Sequence, residues 1–285
     1  MAELDDRTNP TYRYNTNVII KNGATVANYA YGGGYGEAAT VSGTTYITLL
    51  GGTVRKDIYA AGTSGTVQDL HNSGTFTASA NVYIKGGTVR NVYGGGWRGS
   101  VGYANYIKGP EIYNRNGEVI YKYTPDFLDA NGNYTDILGE THIVIGDKPA
   151  AGQTYTNGIP SITRNVYGGG EGGAVYGTAY VTINNGWIGY RYNTSTGEYD
   201  PELTDVDPND LEEHGGNVFG GGYVANSYVD NTFVKMLGGT IRGDLFGGGE
   251  IAPVGRGTLK TTALPQDASK YIIRPKVLEV KGIAF

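Results

Sequence analysis

Apolar residues alternate with polar ones at Ile47/Leu49, Val82/Ile84, Val181/Ile183 and Val234/Met236. A period of two marks strands with one buried face. Each of these runs leads into Gly-Gly or Asn-Gly, a turn that tolerates positive φ, and then into an apolar residue that restarts a strand. The phrases read ITLLGGTV (Ile47 to Val54), VYIKGGTV (Val82 to Val89) and VKMLGGTI (Val234 to Ile241). A looser copy, VTINNGWI, runs from Val181 to Ile188, and a first one, VIIKNGAT, from Val18 to Thr25. Soon after comes an aliphatic residue, then Tyr or Phe, then three small residues. The instances are Ala30-Tyr31-Gly32-Gly33-Gly34, Ile58-Tyr59-Ala60-Ala61-Gly62, Val92-Tyr93-Gly94-Gly95-Gly96, Val166-Tyr167-Gly168-Gly169-Gly170, Val218-Phe219-Gly220-Gly221-Gly222 and Leu245-Phe246-Gly247-Gly248-Gly249. No stretch carries a 3.6-residue apolar stripe between caps, so helix is expected to be scarce.

The six aromatic positions are separated by 28, 34, 74, 52 and 27 residues. The short gaps define a unit of 27 or 28 residues, and the long ones are that unit with insertions. A unit so small cannot bury its own apolar face and must stack on its neighbours. The pattern therefore predicts one all-β domain over residues 1–285, a parallel β-helix of about six coils. Strand spacing makes the rod roughly 25–30 Å long. An antiparallel sandwich or a propeller could use the same short strands, but propeller blades repeat at about 40–50 residues. Two inward ladders are predicted: Ile58, Val92, Val166, Val218 and Leu245, and Ile47, Val82, Val181 and Val234. At each triplet corner at least one glycine is expected to have positive φ.

Insertions are expected at about 106–139, 189–214 and 250–276. In the first, Asn116-Gly117 between alternating residues signals a hairpin. The second holds a Tyr-rich hairpin and then an acidic loop; the third is a Pro-containing excursion. Insertions in solenoids gather on one face, often the binding face. Near the end, LEVKGIAF (Leu278 to Phe285) aligns with the strand phrase of Val82 to Val89. No amphipathic cap is visible at either end, and the start MAELDD looks engineered, so the chain reads as a slice of a longer repeat protein.

Composition changes the picture little. Of 285 residues 48 are Gly and 25 Tyr, against a usual Gly share of ~7 %. The excess follows the corners. Charged residues make up 17 %, with a net charge of −5, which argues against nucleic acid as a partner. Arg55, Arg90 and Arg242 each follow a restart residue and could form a ladder, a weak basic footprint. Absence of Cys rules out disulfides and thiolate chemistry. The N-terminal residues show no signal peptide, and no apolar run reaches the ~20 residues that span a bilayer.

Candidate chemistry is sparse. Asp205, Asp207 and Asn209 begin a Ca²⁺-like pattern, but the sixth and twelfth positions hold Asp210 and Gly216 instead of Gly and Glu. A solvated acidic loop is expected there, with no metal site and no cofactor. Gly168 to Gly173 resembles a phosphate loop but lacks the following Lys-Ser/Thr and helix. His71, His142 and His214 lie in unrelated contexts, and no catalytic motif is present. Glu171 and Glu250 directly follow triplets two coils apart, about 10 Å by strand spacing. That exceeds the ~6.5–9.5 Å of an inverting glycosidase pair. The same position holds Tyr35, Trp97 and Tyr223 in alternate coils. Aromatic faces at that spacing can stack on sugar rings, so these three are the candidate ligand-binding residues. Glu171 and Glu250 are expected to be bystanders to such binding.

GGTVRNVYGGG (Gly86 to Gly96) and GGTIRGDLFGGG (Gly238 to Gly249) resemble the glycine-rich β-helical repeat regions of large bacterial cell-surface proteins, the adhesin-like and autotransporter-like β-helices. The resemblance covers nearly the whole chain and rests on a repeat that contains no catalytic residue. It implies an extracellular, surface-displayed, non-catalytic scaffold that meets a glycan or a host or cell-surface protein. A carbohydrate-active β-helix (lyase or hydrolase) and a phage tailspike-like fibre are the alternatives. Clustered carboxylates in a groove would favour the first of these, and interlocked trimers the second.

Overall fold

The computed structural model describes residues 15–68, 78–102, 112–113, 119–121, 139–148, 159–189, 192–193, 198–199, 216–259 and 277–281. The described elements are all strands, and the main body is three parallel six-stranded sheets. The first sheet stacks Thr16–Ile20, Thr44–Leu49, Ala78–Ile84, Gly139–Ile145, Val175–Ile183 and Val229–Met236 in that order. The second holds the restart pairs from Thr25–Val26 to Thr240–Ile241, and the third the aliphatic–aromatic pairs from Ala30–Tyr31 to Leu245–Phe246. Each coil contributes one strand to each sheet. This is a parallel β-helix of six coils.

Register explains why the phrases repeat. Ile47, Val82, Ile143, Val181 and Val234 stand side by side, as do Ile58, Val92, Val166, Val218 and Leu245. One continuous core runs through all of them, and Ile47, Val82, Ile58, Val92, Val166 and Val218 have no exposed surface. The predicted ladders form, except at the last coil. There Leu245 is 48 % exposed and Val234 only partly buried, because their strands are the outermost of the stack. A further inward row, Val41, Val67, Val101, Val175, Val229 and Val254, is joined by single bridges and by the pairing of Val175 with Val229.

The first-sheet strand of the fourth coil was hidden in the sequence. That strand, Gly139–Ile145, starts where the first insertion was expected to end, and Gly146 replaces the Gly-Gly turn at φ 77°. The 74-residue gap therefore contains two excursions, one on each side of this strand. Hairpin pairing occurs in the first two insertions: Ile112–Tyr113 with Val119–Tyr121, and Tyr192–Asn193 with Glu198–Tyr199. The alignment of Leu278 to Phe285 with a stacking strand is not followed. Val277–Lys281 pairs antiparallel with Arg256–Leu259, outside the three sheets.

Positive φ also falls elsewhere than expected. It occurs at the second residue of the strand-to-restart turns, Gly23, Gly52, Gly87 and Gly239, at 78–87°. None of the triplet glycines has it. Their requirement is close approach: a Cβ on Gly170 would lie 2.4 Å from the Gly173 carbonyl oxygen and 2.6 Å from that of Gly96. The third place is Gly in all six coils, whereas coil two accepts Ala60 and Ala61 at the first two.

Candidate functional site

The outer side of the third sheet carries the candidate site. Along Val92-Tyr93 the valine points into the core, so the aromatic residue points out. In-register stacking then piles Tyr31, Tyr59, Tyr93, Tyr167, Phe219 and Phe246 face to face, with centroids 4.7–5.1 Å apart and planes within 10°. Isolated aromatic pairs prefer offset or edge-on geometry. Here the strand spacing imposes the stack. Tyr59, Tyr93 and Tyr167 are almost entirely buried by their neighbours.

One residue before the aliphatic–aromatic pair in coils two to six stands Asp57, Asn91, Asn165, Asn217 or Asp244. These form a side-chain ladder on the backbone. The amides of Asn91, Asn165, Asn217 and Asp244 donate to the Oδ1 of Asp57, Asn91, Asn165 and Asn217 at 3.1, 2.9, 2.9 and 2.8 Å. Asp57 is additionally held by Arg90, whose Nε and Nη2 donate at 2.8 and 2.7 Å, and by Asn91 Nδ2 at 3.0 Å. The bond to Asp57 raises the Arg90 pKa further above its ordinary value. The sequence did display this row, since Asp or Asn precedes the pair in five coils, but only stacking gives it a purpose.

The basic row differs from the one expected. The backbone amide of Arg90 donates to Lys56 O at 3.0 Å and that of Arg164 to Arg90 O at 2.8 Å. Arg55 and Arg242 bond instead to Val26 and Ile188, so Lys56, Arg90 and Arg164 form the row.

On the other flank of the tyrosine stack lies the position after the triplet. Backbone bonds from Trp97 to Gly62, Glu171 to Gly96, Tyr223 to Gly170 and Glu250 to Gly222 place these side chains in one row, as expected. Both carboxylates reach back two coils. The Tyr59 hydroxyl donates to Glu171 Oε2, and the Tyr167 hydroxyl donates to Glu250 Oε2 at 2.6 Å. Asn165 Nδ2 in turn donates to the Tyr167 hydroxyl at 3.0 Å. Burial first, and then the charge of Asp57 and the bond to Glu171, push the Tyr59 phenol far above its ordinary pKa. Burial, followed by neighbouring Tyr167 and Asp57, does the same for Tyr93; burial and the bond to Glu250 do so for Tyr167. All three therefore remain protonated hydroxyl donors.

Between the two flanks runs a groove of about 450 Å³. Tyr59, Tyr93 and Tyr167 contribute to its lining along the stack. Trp97, Glu171, Tyr223 and Glu250 line one side, and Asp57, Arg90, Asn91, Arg164 and Asn165 the other. Of the three predicted aromatic residues, Trp97 and Tyr223 belong to the groove, whereas Tyr35 is outside it and 85 % exposed. Tyr223 leans on Tyr167 at 5.4 Å, and the Arg98 guanidinium sits 5.0 Å over the Trp97 ring. Glu171 and Glu250 stand in the same groove as the aromatics, so the expectation that they are bystanders lacks a geometric basis. Asp205, Asp207 and Asn209 lie outside the described residues, as do His71 and His214. His142 is on the first sheet, stacked on Tyr180 at 4.8 Å and 3.2 Å from Glu140.

Planar polar side chains beside aromatic faces can bind a hydroxylated ring by hydrogen bonds at its rim and packing on its face. No protein-family model, curated protein or solved structure matches the chain.

Proposed function

We propose that the chain is a non-catalytic, surface-displayed β-helical scaffold whose third-sheet groove binds an oligosaccharide. The groove carries this reading: it lies along the coil axis and combines two aromatic side chains, Trp97 and Tyr223, with a dense set of planar hydrogen-bonding groups. Trp97 and Tyr223 are two coils apart, about 10 Å, so the ligand spans more than one sugar ring. Surface display is supported by the likeness of the glycine-rich repeats to those of bacterial surface proteins.

A second reading, glycan cleavage, is favoured by one observation, the presence of Glu171 and Glu250 in the same groove. Each carboxylate accepts a phenolic hydrogen bond. Their separation of two coils, about 10 Å, exceeds the ~6.5–9.5 Å of an inverting pair.

A broad glycan array followed by calorimetry tests the proposal, with reducing-end release measured on the same ligands. Binding without release is expected, and Trp97→Ala is expected to weaken it at least tenfold, the loss of a stacked ring. Release of reducing ends that disappears in Glu171→Gln would replace binding with catalysis. No binding across the array would leave a passive spacer.

A further inference from the structure

The charges of the groove narrow the ligand class, an inference that rests on the glycan reading above. Of the two guanidiniums in the groove, Arg90 is committed to Asp57 through two hydrogen bonds, and Arg164 stands with it on the wall opposite Glu171 and Glu250. Glu171 and Glu250 meet no cationic side chain among the described residues; each spends one oxygen on a tyrosine hydroxyl. Two carboxylates with spare acceptor capacity thus alternate with Trp97 and Tyr223 along one row. An aromatic face attracts a cation as well as a sugar ring. An acidic sugar would set its own carboxylates against these two.

Tyr93 adds an independent observation. It is 4 % exposed and lines the groove, between Tyr59 and Tyr167 in the stack. Both neighbours spend their hydroxyls on carboxylates, but among the described residues the Tyr93 hydroxyl makes no hydrogen bond. That oxygen is not sealed from the groove, so a group entering there can bond it directly.

We propose that the groove binds an oligosaccharide of amino sugars, 2-amino-2-deoxyhexose units with free ammonium groups. Glu171 and Glu250, two coils or about 10 Å apart, receive ammonium groups, the Tyr93 hydroxyl bonds the ligand between them, and Trp97 and Tyr223 pack on ring faces. The ammonium–carboxylate bonds are charge-assisted and give the preference over the acetylated sugar.

Calorimetry with short oligomers of glucosamine, N-acetylglucosamine, galacturonate and lysine tests this. The glucosamine oligomer is expected to bind at least about tenfold more tightly than the acetylated one, to weaken with added salt, and galacturonate is expected not to bind. Tyr93→Phe removes no protein hydrogen bond, so its melting temperature should be unchanged while glucosamine binding weakens roughly threefold to tenfold. Glu171→Gln with Glu250→Gln keeps an acceptor for each tyrosine and should abolish the preference over the acetylated oligomer. Equal or tighter binding of the acetylated or acidic sugar overturns the amino-sugar assignment and leaves the glycan reading standing. Unchanged binding in Tyr93→Phe also overturns the assignment. Binding of oligolysine alone overturns both readings in favour of a basic peptide, and silence from every sugar removes the glycan reading and this one with it.

Discussion

Replacing Asn91 by Ala should be among the most damaging single changes outside the apolar core. The Asn91 side chain links three coils: its Oδ1 accepts from the Asn165 amide at 2.9 Å, and its Nδ2 donates to Asp57 at 3.0 Å. Asn91 and Asn165 are both buried, so water cannot replace the lost acceptor. Leaving a buried amide unsatisfied costs about 1–3 kcal/mol, and a hydrogen bond to a charged group contributes about 1.5–3. Asp57 retains Arg90 and the Asn91 amide, which favours the lower end of the second figure. The expected loss is therefore about 3 kcal/mol, or a melting temperature lower by roughly 6–12 °C. Asn217→Ala breaks the equivalent bond to the Asp244 amide, where the site is exposed. Water takes over there, and the cost should stay below about 1 kcal/mol. Thermal and urea unfolding of both variants gives the comparison. Equal losses, or a loss at Asn91 under about 1 kcal/mol, would refute the claim that the ladder stabilises the corners through buried amides.

Other expectations follow from the same geometry. Gly170→Ala forces a methyl against two carbonyl oxygens and should cost about 1–3 kcal/mol or more, whereas Gly248→Ala, with open space around it and no positive φ, should stay within about 0.5 kcal/mol in urea unfolding. Absorbance titration of the phenols should show Tyr59, Tyr93 and Tyr167 still protonated where exposed tyrosines, with pKa near ~10, ionise. Because their folded pKa values are raised, the unfolded chain releases these protons first. Their contribution is therefore complete below about pH 10 and is lost as pH rises above it, so the melting temperature should fall as pH rises beyond that value.

The repeat was legible because every coil must bury the same face. Ile47, Val82 and Val181 had to be aliphatic, and their glycine turns had to recur, for coils to stack in register. Gly139–Ile145 escaped because its phrase ends in a single Gly146 and lies between two excursions, so no periodic spacing announces it. The triplets were visible but their cause was not. Positive φ is a property of one turn, whereas the clash at Gly170 comes from carbonyls of its own coil and of coil three. The site was half legible. Trp97, Tyr223, Glu171 and Glu250 share one row by counting from the triplet, and the backbone bonds bear that out. What counting could not reveal is that the carboxylates reach back over two coils to Tyr59 and Tyr167, or that the Tyr93 hydroxyl between them makes no hydrogen bond among the described residues. Those facts depend on which way side chains leave a stacked surface.

The central claim is that the groove beside the tyrosine stack is the ligand-binding surface, and Trp97 can report on it directly. The chain has two tryptophans, and the other, Trp187, belongs to the second sheet, outside the groove. In a Trp187→Phe variant all indole fluorescence therefore arises from Trp97. Titration with an oligosaccharide that calorimetry shows to bind should shift that emission to the blue and saturate at the calorimetric dissociation constant, as the half-exposed ring is covered. Binding by calorimetry with the Trp97 emission unchanged would place the ligand elsewhere and contradict the account.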